Sequence, residues 1–254
     1  KTKAKGVELL SIFWRDKEKE LPLVDKALAQ YSLKVSSYAA CNNFVSADPI
    51  IREAQLQEVK DAVDMARHFG TDVVRVFSGD LPNDDSITYE EGMVYVEEGL
   101  AAAARYAEQY NVVLCIENHG LFAGRSDQVL DLINKINSPS LRSTFDTGNF
   151  LLVGQNPSDA IKELKDYVKH VHIKDFLLSD TEEEGNTYKS LAGKNYLGKI
   201  PGDGEVDLDF ILTELRKVNY NKWLVVEFEG AEEPSEGSRV SVDYMASLLE
   251  KVIN

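Results

Sequence analysis

The sequence of 254 residues predicts an α/β fold, a (β/α)8 barrel of which seven β-α units can be read, with the first unit lacking. Three observations carry this expectation. Apolar runs rich in β-branched residues alternate with longer stretches of helical period, the pattern of repeated β-α units around a parallel sheet. The length is that of a single barrel, and 43% apolar residues can fill its core without disulfide or metal staples. The unit count closes the case, because strand-like and helix-like segments occur seven times each and every helix follows a strand. One domain over residues 1–254 is therefore expected.

The strands are predicted over residues 6–10, 34–41, 72–78, 112–118, 142–147, 168–174 and 223–229, each a short run of apolar and β-branched residues. Helices follow over 21–32, 49–69, 89–110, 126–136, 157–166, 208–218 and 234–253. Two of them carry clear start signals, since Asp48-Pro49 and Asn156-Pro157 each place a capping side chain before a proline in the first turn. The segment 177–204 contains Glu182-Glu183-Glu184 and several glycines, and reads as an extended strand-to-helix loop with a solvated acidic surface.

Composition narrows the partners. Lys plus Arg number 28 against 43 Asp plus Glu, a formal charge of −15. Binding through nucleic-acid phosphates needs a basic surface, so a nucleic-acid partner is not expected. No apolar run approaches the roughly 18 residues that span a bilayer, so no membrane partner is expected either. Cys41 and Cys115 lie in apolar runs and read as small buried hydrophobes. Lys1-Thr2-Lys3-Ala4-Lys5 has no initiator Met, which leaves room for a removed upstream signal, although a cytoplasmic location is expected. Neither a complete G-x-x-x-x-G-K-[ST] loop nor a strand-linked G-x-G-x-x-G is present to hold a nucleotide.

Four predicted strands finish on side chains that are costly to bury without a purpose: Glu117, Asp146, His172 and Glu227. In a parallel barrel the C-terminal strand ends share one mouth, where active sites are built. Three carboxylates gathered there repel one another, and a divalent cation resolves the conflict. Oxygen donors with one nitrogen suit Mn²⁺ foremost, with Mg²⁺, Co²⁺ and Zn²⁺ as alternatives. His119 and Asn149 face the same mouth, either as candidate substrate contacts or as residues that orient a metal ligand. Lys174 is a candidate substrate contact as well, and Arg75 is a further one whose alternative reading is an ion pair inside the barrel.

The segments Ile116-Glu117-Asn118-His119, Phe145-Asp146-Thr147-Gly148-Asn149, Val171-His172-Ile173-Lys174-Asp175 and Trp223-Leu224-Val225-Val226-Glu227, with Gly202-Asp203-Gly204-Glu205-Val206-Asp207, form a set. As a set they resemble the sugar phosphate isomerase/epimerase family of xylose isomerase-like TIM barrels. The resemblance covers nearly the whole chain and implies one divalent metal held by Glu117, Asp146, His172 and Glu227. It also selects among residues that share a strand face, placing His170 in a deeper layer and Glu229 at the rim. It implies that residues 6–10 match the family's second strand, and it admits a dimer or tetramer. Two positions depart from the family's free-ketose epimerases, which often carry His where Asn149 stands and Arg where Lys174-Asp175-Phe176 follows the metal His.

The activity implied is that of an isomerase or epimerase on a small-molecule sugar, sugar phosphate or keto-polyol. Glu117 and Glu227 would pass a proton between faces or carbons of a metal-stabilised enediolate. The alternatives are a dehydratase or lyase acting on a keto-polyol or 3-keto-sugar at the same site, and a non-catalytic sugar-binding barrel.

Overall fold

Several helices in this chain begin where the sequence supplies a side-chain acceptor for a free N–H group of the first turn. The structure is a computed structural model describing residues 2–84 and 86–253; Lys1 and Asn254, the ends of the expected domain, lie outside them. The chain divides into two compact units, one of Ala4–Ile116 with Ile136–Arg142, the other chiefly of Glu117–Lys135 and the chain from Ser143 onward.

In the first unit, β1 (Gly6–Leu10), β2 (Lys34–Ala39), β3 (Val73–Val76) and β4 (Val113–Glu117, its last residue in the second unit) are parallel and lie side by side in chain order. They alternate with α1 (Lys17–Tyr31), α2 (Pro49–Phe69) and α3 (Tyr89–Glu108). Asp48 accepts from the Ile50 N–H ahead of α2, as its sequence signal predicts. Thr88 and Glu91 cap α3 reciprocally. The first helix starts four residues earlier than the apolar period suggested. Lys17-Glu18-Lys19-Glu20 shows no apolar face, yet Asp16 accepts from the Lys19 N–H and sets the first turn there.

The second unit continues with α4 (Gly120–Ala123), α5 (Ser126–Ile136), β5 (Leu141–Asp146, its first two residues in the first unit), α6 (Asn149–Leu152), α7 (Pro157–Leu164) and β6 (Val168–Ile173). Then come β7 (Asp175–Ser179), β8 (Thr187–Lys189), β9 (Asn195–Lys199), α8 (Leu208–Lys217), β10 (Leu224–Val226) and α9 (Pro234–Ile253). Parallel pairing runs β5-β6-β10, with Asp146 opposite His172 and His172 opposite Val225. The seven parallel strands and alternating helices expected of the fold class are present. The last strand is shorter than predicted, but the Glu227 N–H still donates to the Ile173 carbonyl at 3.0 Å, so the ladder reaches the predicted carboxylate.

The predicted loop over 177–204 is corrected by the structure. It contains most of an antiparallel sheet in the order β7-β9-β8. Its hairpin between β8 and β9 turns on Gly193, at φ 74°. The strands are too short for a legible alternation, and the glycines that read as loop punctuation are its turns and its tightest contact. A Cβ on Gly198 of β9 would lie 1.8 Å from the Glu229 carbonyl oxygen. No described helix is long and apolar enough to cross a membrane.

Candidate metal centre

Asp146 and His172 face each other across β5 and β6, both fully buried, and Glu227 follows two residues beyond the partner of His172 on β10. Glu117 ends β4 and is also buried. One ligand atom from each of Glu117, Asp146, His172 and Glu227 can be chosen so that all four lie within 4.8 Å of one another. His172 Nδ1 is 3.2 Å from Glu227 Oε1, 3.5 Å from Glu117 Oε2 and 4.0 Å from Asp146 Oδ2. The strand-end reading therefore brings its four residues to one point.

Hydrogen bonds decide which oxygen of each carboxylate faces that point. Asp146 Oδ1 accepts the N–H groups of Gly148 and Asn149 at 2.9 and 2.8 Å, while buried Oδ2 accepts no hydrogen bond among the described residues. Glu117 Oε1 accepts from Asn149 Nδ2 at 3.0 Å. Asn118 joins the two strand ends, donating Nδ2 to the Asp146 carbonyl at 3.0 Å and accepting the Asp146 N–H at 2.7 Å.

A cation already touches the cluster. Lys174 Nζ lies 3.3 Å from Asp146 Oδ2, 2.9 Å from Glu227 Oε2 and 3.1 Å from Glu229 Oε1. Burial works against its charge, but Asp146, Glu227, Glu229 and Glu117 outweigh it and hold the ammonium well above the ordinary lysine range. Burial pushes Asp146 up to about 7; Lys174 and His172 pull against it, and Glu117 and Glu227 add to it. One ammonium thus leaves the carboxylates short of positive charge. The donor set of one nitrogen and three carboxylates, with a buried Asp146 oxygen turned toward the others, fits a divalent ion.

The other expected contacts fall differently. Asn149 is buried and faces Glu117, as described above. His119 is exposed and precedes α4 without capping it. Arg75 belongs to the first unit, where its guanidinium donates to the Ala40 carbonyl at 2.8 Å and lies 3.8 Å from the Phe77 ring centroid. His170 is buried, with its ring edge-on to His172 at 5.2 Å. Cys41 and Cys115 are free thiols.

Sequence reasoning missed Asp175. Its carboxylate accepts the N–H groups of Phe176, Gly202, Gly204 and Val206 at 2.8–3.1 Å, which pins the Gly202–Val206 turn beside the strand that carries His172. Burial pushes its pKa up and these four donors pull it down, with burial the larger. The available signal was the clustering of Gly202 and Gly204, because a Cβ on Gly204 would sit 2.2 Å from Asp175 Oδ1.

Comparison with known proteins places these observations in a family. A family model described as xylose isomerase-like TIM barrel matches residues 1–248. Inosose dehydratase 1 of Bacillus cereus (strain ZK / E33L) is 26% identical over 220 residues, 82% of this chain and 73% of that protein. Among solved structures, a D-tagatose 3-epimerase-like protein superposes with a TM-score of 0.78 at 19% identity, covering 98% of this chain and 89% of the other. A xylose isomerase-like TIM barrel protein from Mycobacterium smegmatis in complex with magnesium also scores 0.78, at 14% identity, covering 98% and 85%. These two likenesses concern the fold. The expectation of an isomerase is corrected here, since curated relatives that align along most of the chain are named inosose dehydratases.

Proposed function

Because the chain belongs to the xylose isomerase-like TIM barrel family, we propose that it is a divalent-metal-dependent dehydratase acting on a keto-polyol of the inosose type. The observation that carries the proposal is the convergence of Glu117, Asp146, His172 and Glu227 within 4.8 Å, in a chain similar to an inosose dehydratase. A bound divalent ion, Mn²⁺ foremost, would supply Lewis acidity toward the substrate carbonyl. The remaining chemistry belongs to side chains.

Glu117 and Glu227 are the candidate proton-transfer groups, and they differ in access. The Glu117 side chain is 3% exposed and the Glu227 side chain 24%. Glu227 is thus the carboxylate that a substrate can reach. It takes the proton from the carbon beside the carbonyl and returns it to the departing β-hydroxyl. A C–H and a C–O bond break, a C=C bond forms, and one water leaves. Lys174 keeps Glu227 and Glu229 oriented and offers its ammonium to substrate hydroxyls, with His119 as a second polar contact.

The test is direct. Purified protein supplied with Mn²⁺ should convert an inosose into a product lighter by one water, read by mass spectrometry, and a chelator should stop the conversion. Glu227→Gln should abolish turnover with the fold intact by circular dichroism. Wild-type turnover in that variant, or an inosose left unchanged by metal-loaded protein, would remove the proposal.

A further inference from the structure

Asn149 makes two contacts that act on two different candidate ligands. Its side-chain Nδ2 donates to Glu117 Oε1 at 3.0 Å, and its backbone N–H donates to Asp146 Oδ1 at 2.8 Å. The residue is 5% exposed, so water competes little for either bond. The geometry is set by the short turn between β5 and α6. Gly148 and Asn149 both fold back onto Asp146 Oδ1, which swings the Asn149 side chain toward the end of β4. The turn also has no room to relax around Gly148, where a Cβ would stand 3.0 Å from the Lys174 side chain and from the Phe176 ring.

A carboxylate that can rotate offers a metal ion either oxygen, and ordering it costs affinity. Here one oxygen of each carboxylate is engaged by the same residue. The other oxygens, Glu117 Oε2 and Asp146 Oδ2, lie 3.5 and 4.0 Å from His172 Nδ1. We infer that Asn149 is a positioning residue for the metal centre: its side-chain amide presets Glu117 with one oxygen turned to the ion, beside an Asp146 that the backbone N–H of the same residue already holds. The inference rests on the metal part of the proposed function and is independent of the reaction. It assigns Asn149 a role through its neighbours, with its amide directed at Glu117 instead of at a substrate hydroxyl.

The experiment titrates the full chain with Mn²⁺ by calorimetry, comparing wild type with Asn149→Leu and Asn149→Ala, and records the electron paramagnetic resonance of bound Mn²⁺. Removing a partner that orients a ligand is expected to weaken Mn²⁺ binding about 10–100-fold. The spectrum at saturation should change, because Glu117 is no longer fixed, while the metal-free variants stay folded by circular dichroism, with a lowered melting temperature for the Glu117 oxygen left without its donor. The alanine variant covers the case in which leucine disturbs the turn. Mn²⁺ affinity and spectrum equal to wild type in a folded variant would overturn the assignment. A wild-type chain that binds no Mn²⁺ overturns both this and the proposed function. A wild type that binds Mn²⁺ but leaves inosose intact refutes only the reaction, and the two variants still decide the role of Asn149.

Discussion

Lys174 shows how much a single side chain must do in this site. Its ammonium contacts Asp146, Glu227 and Glu229, and with the lysine side chain 7% exposed and Asp146 fully buried, the charge of Asp146 is compensated with little help from water. Lys174→Met leaves the carboxylates uncompensated, and losing one partner of a buried ion pair costs about 3–5 kcal/mol. The expected outcome is a stability loss of that order in urea unfolding with chelator present. Saturating Mn²⁺ should recover much of it, because the ion brings positive charge to Asp146 and Glu227. Equal loss with and without metal would separate Lys174 from the ion's site. At this scale the sequence was informative about which residues converge, because an ionisable group at the end of an apolar strand stands out. It was silent on the Asn149 partner, since a residue facing a mouth can turn to a ligand or to a substrate, and only the fold of the Asp146–Asn149 turn decides between them.

Elements differ in how openly the sequence announces them. The parallel strands β2 to β6 are largely buried, so their apolar runs are continuous and easy to read. The antiparallel strands β7, β8 and β9 are three to five residues long and partly exposed, as at Leu177 and Leu178, and nothing in their composition separates them from a loop. Helix packing within the second unit holds a second unannounced feature. Glu214 of α8 is buried on its helix face, and its carboxylate lies 2.7 Å from Lys165, with Lys217 as a further partner. The hydrogen bond from Lys165, then that from Lys217, holds Glu214 below the usual glutamate range. A folded pKa below the unfolded one, about 4.3, makes the pair stabilising above that pH, and the contribution is lost as pH falls through the folded value. Glu214→Gln should therefore lower the urea midpoint at pH 7, and the gap from wild type should close toward pH 3. A gap that stays constant across that range would mean the lysines contribute only packing.

For the whole molecule, the unit count and the acidic balance were both readable, because they depend only on repetition and composition. The division into two compact units was not, because it depends on which residues touch and leaves no linker in the sequence. That division has a consequence for metal binding. Glu117, Asp146, His172 and Glu227 all belong to the second unit, as do Asn118, Asn149, Lys174 and Glu229, which hold them. An ion that binds only the folded state stabilises by RT ln(1 + [L]/Kd), about 2.7 kcal/mol at a hundredfold excess over Kd. Where units open separately, that gain appears as slower hydrogen exchange only in the unit whose opening releases the ion. Adding Mn²⁺ to metal-free protein should accordingly slow exchange in β5, β6, β10 and the turns after them, with β1, β2 and β3 near their metal-free rates. Equal slowing in β1 to β3 would show instead that the two units open together as one cooperative body, and a lack of slowing anywhere would count against the ion itself.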